Sequence, residues 1–156
     1  MGESFIKKNG LLYSQDLHTV YGVDSTSSAF SGRVPYGAHE IQEEAFADST
    51  LVSVSLPDSV KKIGAGVFGN CKSLQKVKLP SELKELSPYL FAGCSSLKAI
   101  TMPTHLQKFS EGLFFSCSSL EEIPFRFEIT ELPDYICAEC TSLVSIVFPE
   151  GIKKIG

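Results

Sequence analysis

The 156-residue chain contains no tryptophan, two methionines and three histidines. So small a stock of imidazole leaves little material for a His-rich metal site. No run of about 18 apolar residues occurs, so no membrane insertion is expected. The first residues, Met1 to Gly10, lack the apolar core of a secretory signal. The chain therefore reads either as cytoplasmic or as a piece of an exported protein. Positive charge is not in excess: 14 Lys and Arg stand against 18 Asp and Glu, a formal net charge of -4. That balance gives no electrostatic ground for nucleic acid or an anionic membrane as partner. Disorder is not the default either, because 43% of residues are hydrophobic and 21% are charged, as in an ordinary globular chain. What the chain does have in quantity is phenylalanine, 11 in all, and five cysteines.

Both belong to a repeat. Leu51, Leu74, Leu97, Leu120 and Leu143 follow one another at a constant step of 23 residues. The same step carries Val54, Val77, Ile100, Ile123 and Ile146, and then Leu56, Leu79, Met102, Phe125 and Phe148. Further columns are Val60, Leu83, Leu106, Ile129, Ile152 and Ile63, Leu86, Phe109, Leu132, Ile155. Pro57, Pro80, Pro103 and Pro149 form another, interrupted at Arg126, where the proline has moved to Pro124. Columns kept over five periods mark a solenoid, whose coils bury their apolar faces only by stacking. Within each unit the apolar positions two apart predict a strand, and the proline ends its ladder. The pair Val60 and Ile63 continues the buried side into a second short strand. The segment leading to Phe68, Phe91 or Phe114 has room for at most one helical turn.

Upstream the repeat persists in weaker form, with Val34-Pro35 aligned to Leu56-Pro57, Ile41 to Ile63 and Phe46 to Phe68. Phe5-Ile6 and Leu11-Leu12-Tyr13 flank Asn9-Gly10, the signature of a β-hairpin. Thr19–Val23 reads as a further strand. Residues 1–33 are thus expected to be a hairpin-rich cover, and residues 34–156 a solenoid of about five coils. The last coil breaks off at Ile155-Gly156 and carries no polar capping sequence. Either the chain is a truncated piece, or its open C-terminal coil is covered by self-association.

The units Leu51-VSVSLPDSVKKIGAGVFGNC-Lys72 and Leu74-QKVKLPSELKELSPYLFAGC-Ser95 resemble BspA-like leucine-rich repeats of the Treponema pallidum type. Asn9-GLLYSQDLHTV-Tyr21 and Val34-PYGAHEIQEEAF-Ala47 are similar to stretches interleaved with such repeats. The resemblance covers residues 5–156. It implies an α/β repeat: a right-handed, curved leucine-rich repeat solenoid of 23-residue coils. A parallel sheet would line the concave face, with short strands or helical turns on the convex side. It also implies a secreted or cell-surface adhesion module that binds a host matrix protein or another cell-surface protein.

Several motifs suggest chemistry and lose it within the repeat. Gly64-Ala-Gly66-Val-Phe-Gly69 matches a dinucleotide-binding pattern. Such a site needs a full helix after the glycines, and the next coil begins at Leu74. Cys137 and Cys140 form C-x-x-C, which suits a thiol-redox pair or half a zinc site. Yet Cys140 ends the ladder Cys71, Cys94, Cys117, Cys140, and Cys137 stands where Phe68, Phe91 and Phe114 stand in earlier coils. Buried structural thiols are the simpler account, and a redox role stays open beside it. His18, His39 and His105 fall in different coils, and Glu121-Glu122 point to opposite faces of a strand. Neither catalysis nor a cofactor nor a metal is expected.

What remains is a surface. On each first strand the third and fifth positions should face solvent: Ser53 and Ser55, Lys76 and Lys78, Ala99 and Thr101, Glu122 and Pro124, Ser145 and Val147. This small, mixed stripe has one basic rung and an acidic neighbour. It suits a protein or extended peptide better than a small molecule, which needs a deeper pocket.

Overall fold

The computed structural model describes residues 4–123, 125, 129–148 and 150–156. The proline shift at Pro124 and Arg126, and the last rung Pro149, lie outside these residues. The chain opens with β1 (Ile6–Lys8) and β2 (Leu11–Tyr13), paired antiparallel across a two-residue turn. Asn9 (φ 51°) and Gly10 (φ 76°) are both left-handed there, as a primed hairpin turn requires. At Gly10 a side chain would meet the Phe30 backbone nitrogen at 2.4 Å, so the turn also needs the room. Next, β3 (Thr19–Val23) pairs antiparallel with β2 and, on its other side, parallel with β4 (Glu40–Ile41). In turn β4 pairs with β6 (Lys62–Ile63), which gives a five-stranded sheet of order β1-β2-β3-β4-β6. The hairpin therefore extends the column of second strands, while β3 occupies a rung of it.

Later coils continue both strand columns. In the first column β5 (Ser53–Ser55) pairs parallel with β7 (Lys76–Lys78), and a bridge joins Lys78 to Thr101. Further along, β8 (Glu122–Ile123) pairs parallel with β10 (Ser145–Ile146). In the second column Glu85 bridges Lys108, and β9 (Glu131–Leu132) pairs with β11 (Lys154–Ile155). Val54, Val77, Ile100 and Ile123 turn inward from the first column, and Ile41, Ile63, Leu86, Phe109 and Leu132 from the second. Leu74, Leu97 and Leu120 are fully buried between them.

The segment between the second strand and the next coil corrects the sequence expectation. No helix occurs among the described residues, so the repeat is built from strands and turns rather than as an α/β unit. The cause is a pair of left-handed residues, four apart, in every coil. Glu44, Gly66, Tyr89, Gly112 and Tyr135 have φ between 53° and 60°, and Asp48, Asn70, Gly93, Ser116 and Glu139 between 54° and 75°. Two such residues leave no run of right-handed backbone long enough for one helical turn. The N–H groups turn instead to the following coil. Phe46 donates to the Val67 carbonyl, Phe68 to Leu90 and Phe91 to Leu113, each at 3.0 Å.

That segment carries the core of the stack. Phe30, Phe46, Phe68, Phe91 and Phe114 lie ring on ring, with successive centroids 5.5, 5.8, 5.4 and 5.7 Å apart. The four from Phe46 onward are at most 1% exposed. Each also offers its carbonyl to the next coil: Cys71, Cys94, Cys117 and Cys140 donate their thiols to the Phe46, Phe68, Phe91 and Phe114 carbonyls at 3.0–3.1 Å. Replacing Phe91 with Ala deletes a ring packed on both faces and should destabilise the fold by about 3–5 kcal/mol. Phe148→Ala, at a 43% exposed ring, should cost clearly less in the same urea titration. Equal losses would show that the ring stack is not the chief support.

Candidate functional site

All the described residues of the expected stripe reach the surface. Ser53, Lys76, Lys78, Ala99, Thr101, Glu122, Ser145 and Val147 are exposed, and Ser55 is half-buried. Pro124 lies outside the described residues. The structure brings only the middle of this stripe together. Lys76, Lys78, Ala99, Thr101, Thr104 and Glu122 line an open trough of about 860 Å³. Its shape follows from side-chain length. Ala99 and Thr101 on the third coil are short, whereas Lys76 and Lys78 before them and Glu122 after them are long. A second hollow of about 440 Å³ continues it past Gln75 and Lys98 to Ser96 and Ser119. Ser53 and Ser55 on one side, and Ser145 and Val147 on the other, lie outside both hollows.

Charge distinguishes this face from the other strand column. There the outward residues alternate in sign from coil to coil: Glu40, Lys62, Glu85, Lys108, Glu131, Lys154. The register sets Glu40 beside Lys62, Glu85 beside Lys108 and Glu131 beside Lys154. Lys62 Nζ lies 2.8 Å from Glu40 Oε1, and that hydrogen bond and charge raise the Lys62 pKa. On the trough face like charges cluster instead. Lys76, Lys78 and Lys98 are exposed, and none has an ion pair among the described residues. Asp58, at the edge, is occupied by the Ser81 N–H and hydroxyl at 2.9 and 3.2 Å. These bonds, with weaker help from Lys78 and Lys61, hold its carboxyl below the usual range. The alternation is written in the sequence at the position before Ile41, Ile63, Leu86, Phe109, Leu132 and Ile155.

The thiols are placed for packing. All five cysteines are free. Burial pushes the Cys71, Cys94 and Cys137 thiols up, Cys117 to about 12 and Cys140 to about 11, with neighbouring thiols adding to the last two. A redox C-x-x-C pair depends on the opposite shift, toward the thiolate. The histidines hold one surprise: His18 and His39 stack at 4.4 Å, because the His39 N–H reaches the His18 carbonyl at 2.7 Å. His105 is exposed and faces Glu82 Oε1 at 3.5 Å. No group of three or more metal-ligating side chains occurs among the described residues.

Residues 39–156 match the model of the BspA type leucine rich repeat region, in six copies. The chain belongs to the BspA-type leucine-rich repeat family. Such repeats are typically protein-interaction modules and are generally non-enzymatic. Among solved structures, a leucine-rich cell surface protein of Faecalibacterium prausnitzii is 32% identical, with a TM-score of 0.82 over 94% of this chain and 40% of its own. A leucine-rich repeat protein of Bacteroides ovatus is 27% identical, with a TM-score of 0.78 over 92% and 38%. The T. pallidum leucine-rich repeat protein shares the fold at 24% identity, with a TM-score of 0.75 over 98% and 82%. The chain thus spans about two fifths of the first two. No curated protein matches it.

A BspA-type core with these thiols should react slowly with iodoacetamide at pH 8 while folded, and at all five positions once unfolded. Because burial raises the thiol pKa values above the ordinary 9.0, the folded state holds its protons to higher pH than the unfolded chain does. Stability should therefore be level below pH 9 and fall as pH rises toward 12. Urea midpoints at pH 7, 9 and 10 measure this. Rapid alkylation of native Cys137 and Cys140 would revive the redox reading.

Proposed function

We propose that this chain is a non-catalytic protein-binding module that docks its partner on the first-strand face, centred on the trough over Ala99 and Thr101. The observation that carries the reading is the contrast between the two strand columns. Outward charges on the second column stand in register with opposite ones, Glu40 with Lys62, Glu85 with Lys108 and Glu131 with Lys154, whereas Lys76 and Lys78 stand in register with Ser53, Ser55 and Thr101, in a chain of net negative charge. Unmatched charge beside a shaped hollow steers and orients a partner, whereas a matched ladder presents little net field. The stacked core beneath keeps the side chains in place, so little ordering entropy is lost on docking. The N-terminal cover of residues 1–33 forms part of this reading, supported by Phe30 stacked on Phe46 and by β3 paired with β4.

The finer function is adhesion at a cell surface, to a host matrix protein or to another surface protein. A similar protein of F. prausnitzii is described as a leucine-rich cell surface protein, which supports that placement. Self-association is a second reading, favoured by the exposure of the outward Val144 (86%) and Val147 (72%). Sedimentation equilibrium tests it: a mass that rises with concentration supports it, and a constant monomer mass removes it.

Lysine footprinting tests the docking face. Matrix proteins and bacterial surface extracts are first screened for a binding protein, and the complex is then labelled with an amine-reactive reagent. Lys76, Lys78 and Lys98 should be protected, while Lys62, Lys108 and Lys154 stay reactive. The reverse pattern would move the interface to the second column.

A further inference from the structure

The trough has a direction and a charge pattern, and together they specify what fits it. Its floor is the extended segment Ala99 to Thr101, joined to β7 by the single bridge between Lys78 and Thr101. The basic wall consists of Lys76 and Lys78, both exposed on the same face of β7 with the buried Val77 between them. Two residues apart on a strand means about 6.6 Å along its axis. An extended peptide lying over the floor carries its own i and i+2 side chains at that same spacing. The opposite wall is Glu122, so a cation cannot take the basic side nor a carboxylate the acidic one without repulsion.

We propose that the trough binds an extended peptide segment with an acid-x-acid motif, whose two carboxylates pair with Lys76 and Lys78 as the backbone runs along Ala99–Thr101. This rests on the proposed docking face and names the chemistry of its occupant. Lys98 lines the adjoining hollow, with Glu121 as its neighbour one coil on. Thr104 also lines the trough, and its hydroxyl is held by the Ser81 carbonyl at 3.4 Å. The second column offers no equivalent place, since each of its lysines stands in register with a glutamate.

Two fluorescein-labelled peptides of one composition test the spacing: Gly-Ser-Glu-Thr-Glu-Ser-Gly and Gly-Ser-Thr-Glu-Glu-Ser-Gly. Fluorescence anisotropy should show the first binding more tightly, with affinity falling as salt is raised. The double substitution Lys76→Ala and Lys78→Ala should weaken it about three- to tenfold, the loss of two exposed charge contacts. The pair Lys108→Ala and Lys154→Ala removes the same charge from the other column and should leave binding unchanged. Equal binding of both peptides, or an equal loss in both double variants, would overturn the motif and leave only a general charge effect. Stronger binding of a sulfated oligosaccharide than of the first peptide, lost with Lys76 and Lys78, would make the occupant an anionic sugar and overturn the peptide. If neither peptide binds while a protein partner still protects Lys76 and Lys78 in footprinting, the acid-x-acid motif falls and the docking face stands.

Discussion

Stacking of one coil on the next is the interaction on which everything else here depends. No coil of 23 residues has an inside of its own. Its apolar side chains are buried only by those one period before and after, as with Phe68 between Phe46 and Phe91. The backbone obeys the same constraint. Two left-handed residues in each turn segment prevent local helical bonding, so the N–H groups of Phe46, Phe68 and Phe91 have to be satisfied by the following coil. The thiol ladder joins the phenylalanine carbonyls from the other side, and a small, weakly polar group is what fits there. Apolar burial, backbone bonding and thiol packing thus run along one axis.

Function sits on what stacking leaves over. Alternate positions of each strand are consumed by the core, and the outward ones are free to vary. One column uses that freedom to neutralise itself, with Lys62 on Glu40. The other sets Lys76 and Lys78 on one side of a hollow and Glu122 on the other, with Lys98 in the hollow beside it. The hollow needs no loop or lid. It arises because Ala99 and Thr101 are short where their neighbours are long, and the rigid stack below holds that relief in place.

Much of this was legible in the chain because periodicity exposes burial directly. Phe68, Phe91 and Phe114 recur at one step and form one stack, and Asn9-Gly10 named its own turn. The missed features have physical reasons. The left-handed positions are filled by Glu, Gly and Tyr in one column and by Asp, Asn, Gly, Ser and Glu in the other, so side-chain type does not announce them. His18 and His39 are 21 residues apart, off the 23-residue step, and only the pairing of β3 with β4 brings their rings together. The trough depends on differences in length between successive coils, which columns of like residues conceal.

The alternating ladder Glu40, Lys62, Glu85, Lys108, Glu131, Lys154 gives the solenoid a parity. The apolar core repeats with every coil, but charge on this edge repeats only with every second one. For the core any coil can follow any other; for the edge, an odd coil must meet an even one. Deleting the single coil that bears Glu85 would set Lys62 beside Lys108, like on like, whereas deleting two adjacent coils restores the alternation. A chain folding in water meets the same rule, since a slip of one coil in pairing is opposed by charge while its hydrophobic contacts remain satisfied. Register in this repeat is thus kept by the residues that contribute least to its core.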